Sequence, residues 1–165
     1  MNVSSASTSP ESVHVSTGNP YTPTYGSNGD PLGSAGLQDY PDRLTGSGCN
    51  NLTNPESLTN YVKLQCFAVP APGKLGNAGR NIITGPGVAT LDGSLLKTFR
   101  LAAKLEKLDL QFRAEIFNAL NHPNFALPGN TDVFDANGAS TGSAGLLTAT
   151  STSSRQIQFG LKVKW

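Results

Sequence analysis

Three stretches after residue 88 alternate strictly between apolar and polar side chains, and this alternation constrains the fold more than any other feature. In the first, Leu91, Gly93, Leu95, Lys97 and Phe99 share one face, and Asp92, Ser94, Leu96, Thr98 and Arg100 share the other. In the second, Leu108, Leu110, Phe112, Ala114 and Ile116 alternate with Asp109, Gln111, Arg113 and Glu115. The third sets Ile157, Phe159, Leu161, Val163 and Trp165 against Gln156, Gln158, Gly160, Lys162 and Lys164. A period of two predicts strands with one apolar and one polar face, here over about 89–101, 107–117 and 155–165. Leu101, Leu105, Leu108, Phe112, Ile116 and Leu120 also fall at helical spacing, and Ala102 to Lys107 are good helix formers, so a helix over 101–120 competes. The alternate polar positions from Asp109 to Glu115 favour the strand.

The apolar faces need a cover. Together they carry about a dozen large side chains, and exposing these at about 2 kcal/mol each would cost on the order of 20 kcal/mol. Residues 1–88 offer few candidates, because turn signals dominate there: Gly18-Asn19-Pro20, Gly29-Asp30-Pro31, Gly46-Ser47-Gly48, Pro70-Ala71-Pro72-Gly73 and Gly85-Pro86-Gly87. Only Ser12 to Thr17, with Val13 and Val15 alternating against polar neighbours, reads as a short strand. Residues 1–88 are therefore expected to form an extracellular-loop-like region with at most one short strand. Residues 118–154, rich in Gly, Ser, Thr and Asn, are expected to form a second long loop. Compact soluble domains rarely carry such loops, whereas the outer face of a membrane barrel does.

Connection lengths agree. A few residues separate the first two alternations, and more than thirty separate the second from the third. Membrane barrels pair short periplasmic turns with long extracellular loops. Ile157 to Trp165 would rise roughly 30 Å, or just over 20 Å once tilted by about 45°. That nearly matches an apolar band about 25 Å tall. Trp165 would lie at the interfacial level, its ring buried and its N–H wet. The expected fold class is all-β: a few-stranded antiparallel meander, a fragment of a transmembrane β-barrel with long irregular loops. Leu108, Leu110, Phe112, Ile116, Ile157, Phe159 and Leu161 are expected to face lipid, and Asp109, Gln111, Arg113 and Glu115 the lumen. Gln158, Gly160, Val163 and Trp165 resemble the signal read by the barrel-assembly machinery, a partner this implies.

Composition narrows the remaining classes. Charged residues make up 14% of the chain and the net charge is +1, which gives no basic stripe for nucleic acid. No apolar run approaches the roughly 18 residues of a spanning helix. Met1-Asn2-Val3-Ser4-Ser5 has neither a basic nor an apolar leader region, so the true start is expected upstream. Cys49 and Cys66 are separated by sixteen residues with no nearby His, which disfavours zinc. In an oxidising compartment a disulfide between them is expected, removing loop entropy worth about 3 kcal/mol. Gly73 to Gly87, with Lys74 and Arg80, lacks the Gly-Lys-Ser/Thr ending of a phosphate loop and reads as a structural turn. His14 and His122 have no partners at useful spacing. No catalytic constellation, cofactor site or metal site is expected.

Several motifs also carry a resemblance. Gly76-Asn77-Ala78-Gly79-Arg80-Asn81, Gly85-Pro86-Gly87, Leu95-Leu96-Lys97, Phe112-Arg113-Ala114-Glu115, Phe117-Asn118, Asn121-His122-Pro123-Asn124-Phe125 and Arg155-Gln156-Ile157-Gln158-Phe159-Gly160-Leu161-Lys162 resemble the C-terminal end of Oar-like TonB-dependent outer-membrane receptors of the Acidobacteria type. More loosely, Gly18-Asn19-Pro20-Tyr21-Thr22-Pro23, Tyr40-Pro41-Asp42-Arg43 and Cys66-Phe67 resemble the preceding extracellular region. The resemblance implies a 22-stranded barrel with a plug, and a TonB partner reached only through a plug region outside this sequence. It implies wall and loop function in the cell outer membrane, with outer-membrane lipid as partner and without catalysis. Two alternatives stand beside it: a plug-less porin-like barrel, and a secreted soluble β-module that binds a surface glycan.

Overall fold

The computed structural model describes residues 6–26, 39–102 and 107–165. Ten strands occur along them: β1 (Ala6–Ser16), β2 (Pro20–Tyr21), β3 (Thr24–Tyr25), β4 (Asp42–Arg43), β5 (Phe67–Ala68), β6 (Ile83–Thr84), β7 (Val88–Ala102), β8 (Lys107–Phe117), β9 (Asp132–Phe134) and β10 (Gln156–Lys164). The four long strands form one antiparallel sheet in the order β1-β7-β8-β10. Short pairs join β2 to β6, β4 to β5, and β3 to β9, the last in parallel. By contacts the chain divides into a strand unit (1–16, 88–124 and 152–165) and a loop unit (17–87 and 125–151).

The segment with competing helical spacing is a strand. Lys107–Phe117 pairs with β7 on one side and β10 on the other, and these two ladders override local helix propensity. Of the short connection expected around Ala102 to Glu106, residues 103–106 lie outside the described residues.

β1 is longer than its sequence indicates, eleven residues instead of the short run Ser12–Thr17. Its register against β7 shifts between Ser9, opposite Ser94, and Ser12, opposite Asp92. Three steps on β1 thus match two on β7, a bulge that contains Pro10 and Glu11. Proline lacks the N–H a ladder needs, and within sheets it is confined to edges and bulges. The extra residue also resets parity. Beyond it, odd-numbered Val13 and Val15 fall opposite odd-numbered Leu91 and Ala89, on the apolar side of β7.

Both long connections leave and re-enter the sheet at the same end, where Ser16 lies opposite Val88 and Phe117 opposite Gln156. A polar network ties that end together. Asn118 adopts φ 49°, a left-handed conformation that asparagine tolerates. Its N–H donates to Asp92 Oδ1 at 2.8 Å, and its amide donates to the carbonyls of His122 and Ser153. His122 N–H returns a bond to Asn118 Oδ1 at 3.0 Å. Asn124, with 0% exposure, bonds Ala89, Thr152 and the His122 ring.

Where the sequence predicts irregular loop, the structure has a compact unit with its own core. Tyr21, Tyr25, Val62, Phe67, Ile83, Val133, Phe134 and Leu147 are buried together in the loop unit. Cys49 and Cys66 are joined by a disulfide with Cα atoms 5.4 Å apart, beside this core. Two glycines mark close backbone approaches. A Cβ on Gly76 would lie 1.9 Å from the Tyr40 carbonyl oxygen, and one on Gly18 would lie 1.7 Å from that of Gly85. The Gly76 approach lets Asn77 pair with the chain beside Tyr40: Arg43 N–H donates to Asn77 Oδ1 at 2.7 Å, and Asn77 N–H donates to Asp42 Oδ1 at 2.9 Å.

Candidate functional site

The strand unit presents two chemically distinct faces, set by register. On one face, rows run across the sheet from β7 through β8 to β10. Leu95, Ala114 and Phe159 form one row, Lys97, Phe112 and Leu161 the next, and Phe99, Leu110 and Val163 a third. Nearer the long connections, Gly93, Ile116 and Ile157 line up. Phe112 and Phe159 stack with ring centroids 6.0 Å apart, a diagonal cross-strand contact. Leu108 sits opposite Leu101 at the other end.

The opposite face is polar. Ser94, Glu115 and Gln158 form a row, as do Thr98, Gln111 and Lys162, while Asp109 sits between Arg100 and Lys164. Glu115 is the hub. It pairs with Arg113 two residues earlier on the same strand and accepts a bond from Gln158 Nε2 at 2.6 Å. Gly160 lies opposite Arg113, where a Cβ would meet Arg113 Cβ at 3.8 Å, an ordinary contact.

Neither face holds a buried residue among those described. No described side chain of β7, β8 or β10 is buried, on the apolar or the polar side. Along β10, Phe159 is 72% exposed, Leu161 67% and Trp165, just past the strand end, 91%. Val13 and Val15 on β1 are likewise exposed. Among the described residues, then, the long strands carry an apolar face with no core of its own.

The residues expected to face lipid (Leu108, Leu110, Phe112, Ile116, Ile157, Phe159 and Leu161) thus lie on one side of the sheet. Those expected to face the lumen (Asp109, Gln111, Arg113 and Glu115) lie on the other. Sequence reasoning missed Asp92, Asn118 and Asn124 as a working group. The signal available was a pair of asparagines just past a strand, residues suited to left-handed and capping positions.

In the loop unit, Tyr21 is buried and its hydroxyl has no hydrogen-bond partner among the described residues. Burial, and the nearby Tyr61, push its pKa well above the ordinary phenol value of 10.0. Burial raises Tyr61 as well, whose hydroxyl donates to the Thr84 carbonyl at 2.8 Å. An open depression is lined by Gly26, Asn130, Asp132, Asp135, Asn137 and Thr141. Its polar groups largely serve their own turns: Asp135 Oδ1 accepts the N–H groups of Asn137 and Ala139, and Asn130 Oδ1 accepts that of Asp132.

These features define a wall segment of the kind that crosses a membrane with strands. The family of the outer membrane β-barrel domain matches residues 11–158, most of the chain, and the protein belongs to that family. Neither a curated protein nor a solved structure matches it.

Proposed function

We propose that this chain forms the C-terminal wall and extracellular loops of a TonB-dependent outer-membrane receptor of the Oar-like kind, incomplete for transport on its own. The observation that carries the reading is the uncovered sheet, apolar on one face and ion-paired on the other, with both long connections at one end. Lipid suits the first face and a wet lumen the second. β1 and β10 each pair on one side only among the described residues, which fits a section of a larger barrel. The motifs around Gly76, Phe112, Asn121 and Arg155 supply the likeness to the receptor family. The loop unit, with its disulfide and separate core, suits the extracellular side, and the barrel-assembly machinery would insert the strands.

An antibody against the loop unit, used on fractionated cells, tests this. The reading expects a surface-accessible, heat-modifiable outer-membrane band far larger than a 165-residue chain. A small soluble band would sink it. Peptide mapping of the large band then separates receptor from plug-less porin, since only the receptor carries a plug and a TonB box.

A further inference from the structure

One residue on the apolar face does not belong with its neighbours. Lys97 lies opposite Phe112, and Leu161 continues the row. Leu95 and Phe99 precede and follow it on the same side of β7. The carboxylates of the described strand positions on β7, β8 and β10, Asp92, Asp109 and Glu115, all fall on the other face, so no acid shares the side of Lys97 there. A lysine toward lipid is destabilising in a depth-dependent way unless its charge finds a partner.

Its geometry shows where that partner would be. The ammonium stands over the Phe99 ring, 5.0 Å from the centroid. Phe99 is two residues nearer the short β7–β8 connection, so the side chain leans toward that rim. Lys97 stands five residues from the end of β7, opposite the middle of β8, so its aliphatic stem must run along the apolar surface to bring the ammonium toward the headgroups. We propose that Lys97 and Phe99 seat the phosphate of an anionic phospholipid in the leaflet at the short-turn rim, with Leu95, Phe112 and Leu161 beneath its acyl chains. The ammonium is a compact charge with three donors suited to phosphate, and the ring holds it by cation–π attraction. The inference rests on the reading of the apolar face as lipid-facing.

The test uses the intact outer-membrane protein that carries this chain, reconstituted in nanodiscs of phosphatidylcholine and phosphatidylglycerol, with retained lipid counted by native mass spectrometry. Wild type is expected to retain phosphatidylglycerol roughly fivefold over its share, the effect of one lysine at an anionic surface. Lys97→Met should bring retention to parity, and Lys97→Arg should keep the preference. A wild type without preference overturns the proposal whatever the variants do. So does a heat-modifiable Lys97→Met protein that keeps the preference, or a Lys97-dependent cross-link between two copies without lipid selectivity. A spin label at Phe159→Cys separates the failures. A lipid-exposed label with no phosphatidylglycerol preference removes the seat and leaves the wall, whereas a water-exposed label removes both.

Discussion

Asn124 and Ala89 bond to each other as facing residues of a β-ladder would. Ala89 N–H donates to Asn124 Oδ1 at 2.7 Å, and Asn124 Nδ2 donates back to the Ala89 carbonyl at 3.1 Å. A side-chain amide thus stands in for a neighbouring backbone near the start of β7. Asn124→Ala should orphan both groups of Ala89, at about 1–3 kcal/mol for each group left unsatisfied. Urea unfolding in micelles should show the loss, and a change below about 0.5 kcal/mol would refute the role.

The disulfide belongs to the loop unit. Removing it by Cys49→Ser with Cys66→Ser should destabilise that unit by about 3 kcal/mol, the loop-closure entropy of a crosslink of this span. Hydrogen exchange should rise across Leu52 to Phe67 while β8 and β10 keep their protection. Equal loosening of both units would contradict the division of the chain.

Gly18 and Gly129 make a matched pair. A Cβ at Gly18 would collide with the Gly85 carbonyl, whereas one at Gly129 meets nothing within 4 Å. Gly18→Ala should therefore cost about 2 kcal/mol or more through backbone displacement, and Gly129→Ala should stay within about 0.5 kcal/mol. Limited proteolysis of the loop unit distinguishes the two outcomes.

Tyr21→Phe removes a buried hydroxyl without a hydrogen-bond partner among the described residues, so it should be neutral or should stabilise the loop unit by about 1 kcal/mol at pH 7. The pH dependence follows from the raised phenol pKa. Above its ordinary value of 10.0 the unfolded chain loses the proton while the folded chain still holds it. The contribution of Tyr21 is therefore complete below pH 10 and shrinks as pH rises past it. Alkaline melting of the loop unit should shift to higher pH in the variant, and an unchanged profile would refute the assignment.

The two faces should respond oppositely to charge. Phe159→Arg should cost about 2–4 kcal/mol if that position lies near the bilayer midplane, and Gln158→Arg on the next residue far less. Heat-modifiability of the inserted protein gives the comparison. Equal costs would remove the distinction between lipid and lumen.

What was legible in the sequence follows from periodicity. β8 and β10 show themselves because an uninterrupted period of two runs through Leu108 to Ile116 and Ile157 to Trp165. β1 shows itself only in its second half, around Val13 and Val15, because the bulge at Pro10 changes the parity partway and its first half is mainly serine and threonine. The loop-unit core was hidden for another reason. Tyr21, Val62, Ile83 and Val133 come from distant segments, gathered by strands of two or three residues and, at Val62, by a single bridge to Thr53. No local period can announce a core assembled that way. Asn118 and Asn124 stood in the sequence only as parts of motifs, and their partners, Asp92 and Ala89, lie on β7 more than twenty residues earlier, where only the folded sheet brings them together.

The pairing of β3 with β9 also sets an order of events. Thr24 bonds Asp132, 108 positions later in the chain. A polypeptide delivered from its N-terminus presents one half of this clasp long before the other exists. Tyr25 therefore waits for Phe134, its edge-on ring partner, until β9 has followed. In the interval the loop-unit core is incomplete, because Val133 and Phe134 belong to it as much as Tyr21 and Tyr25 do.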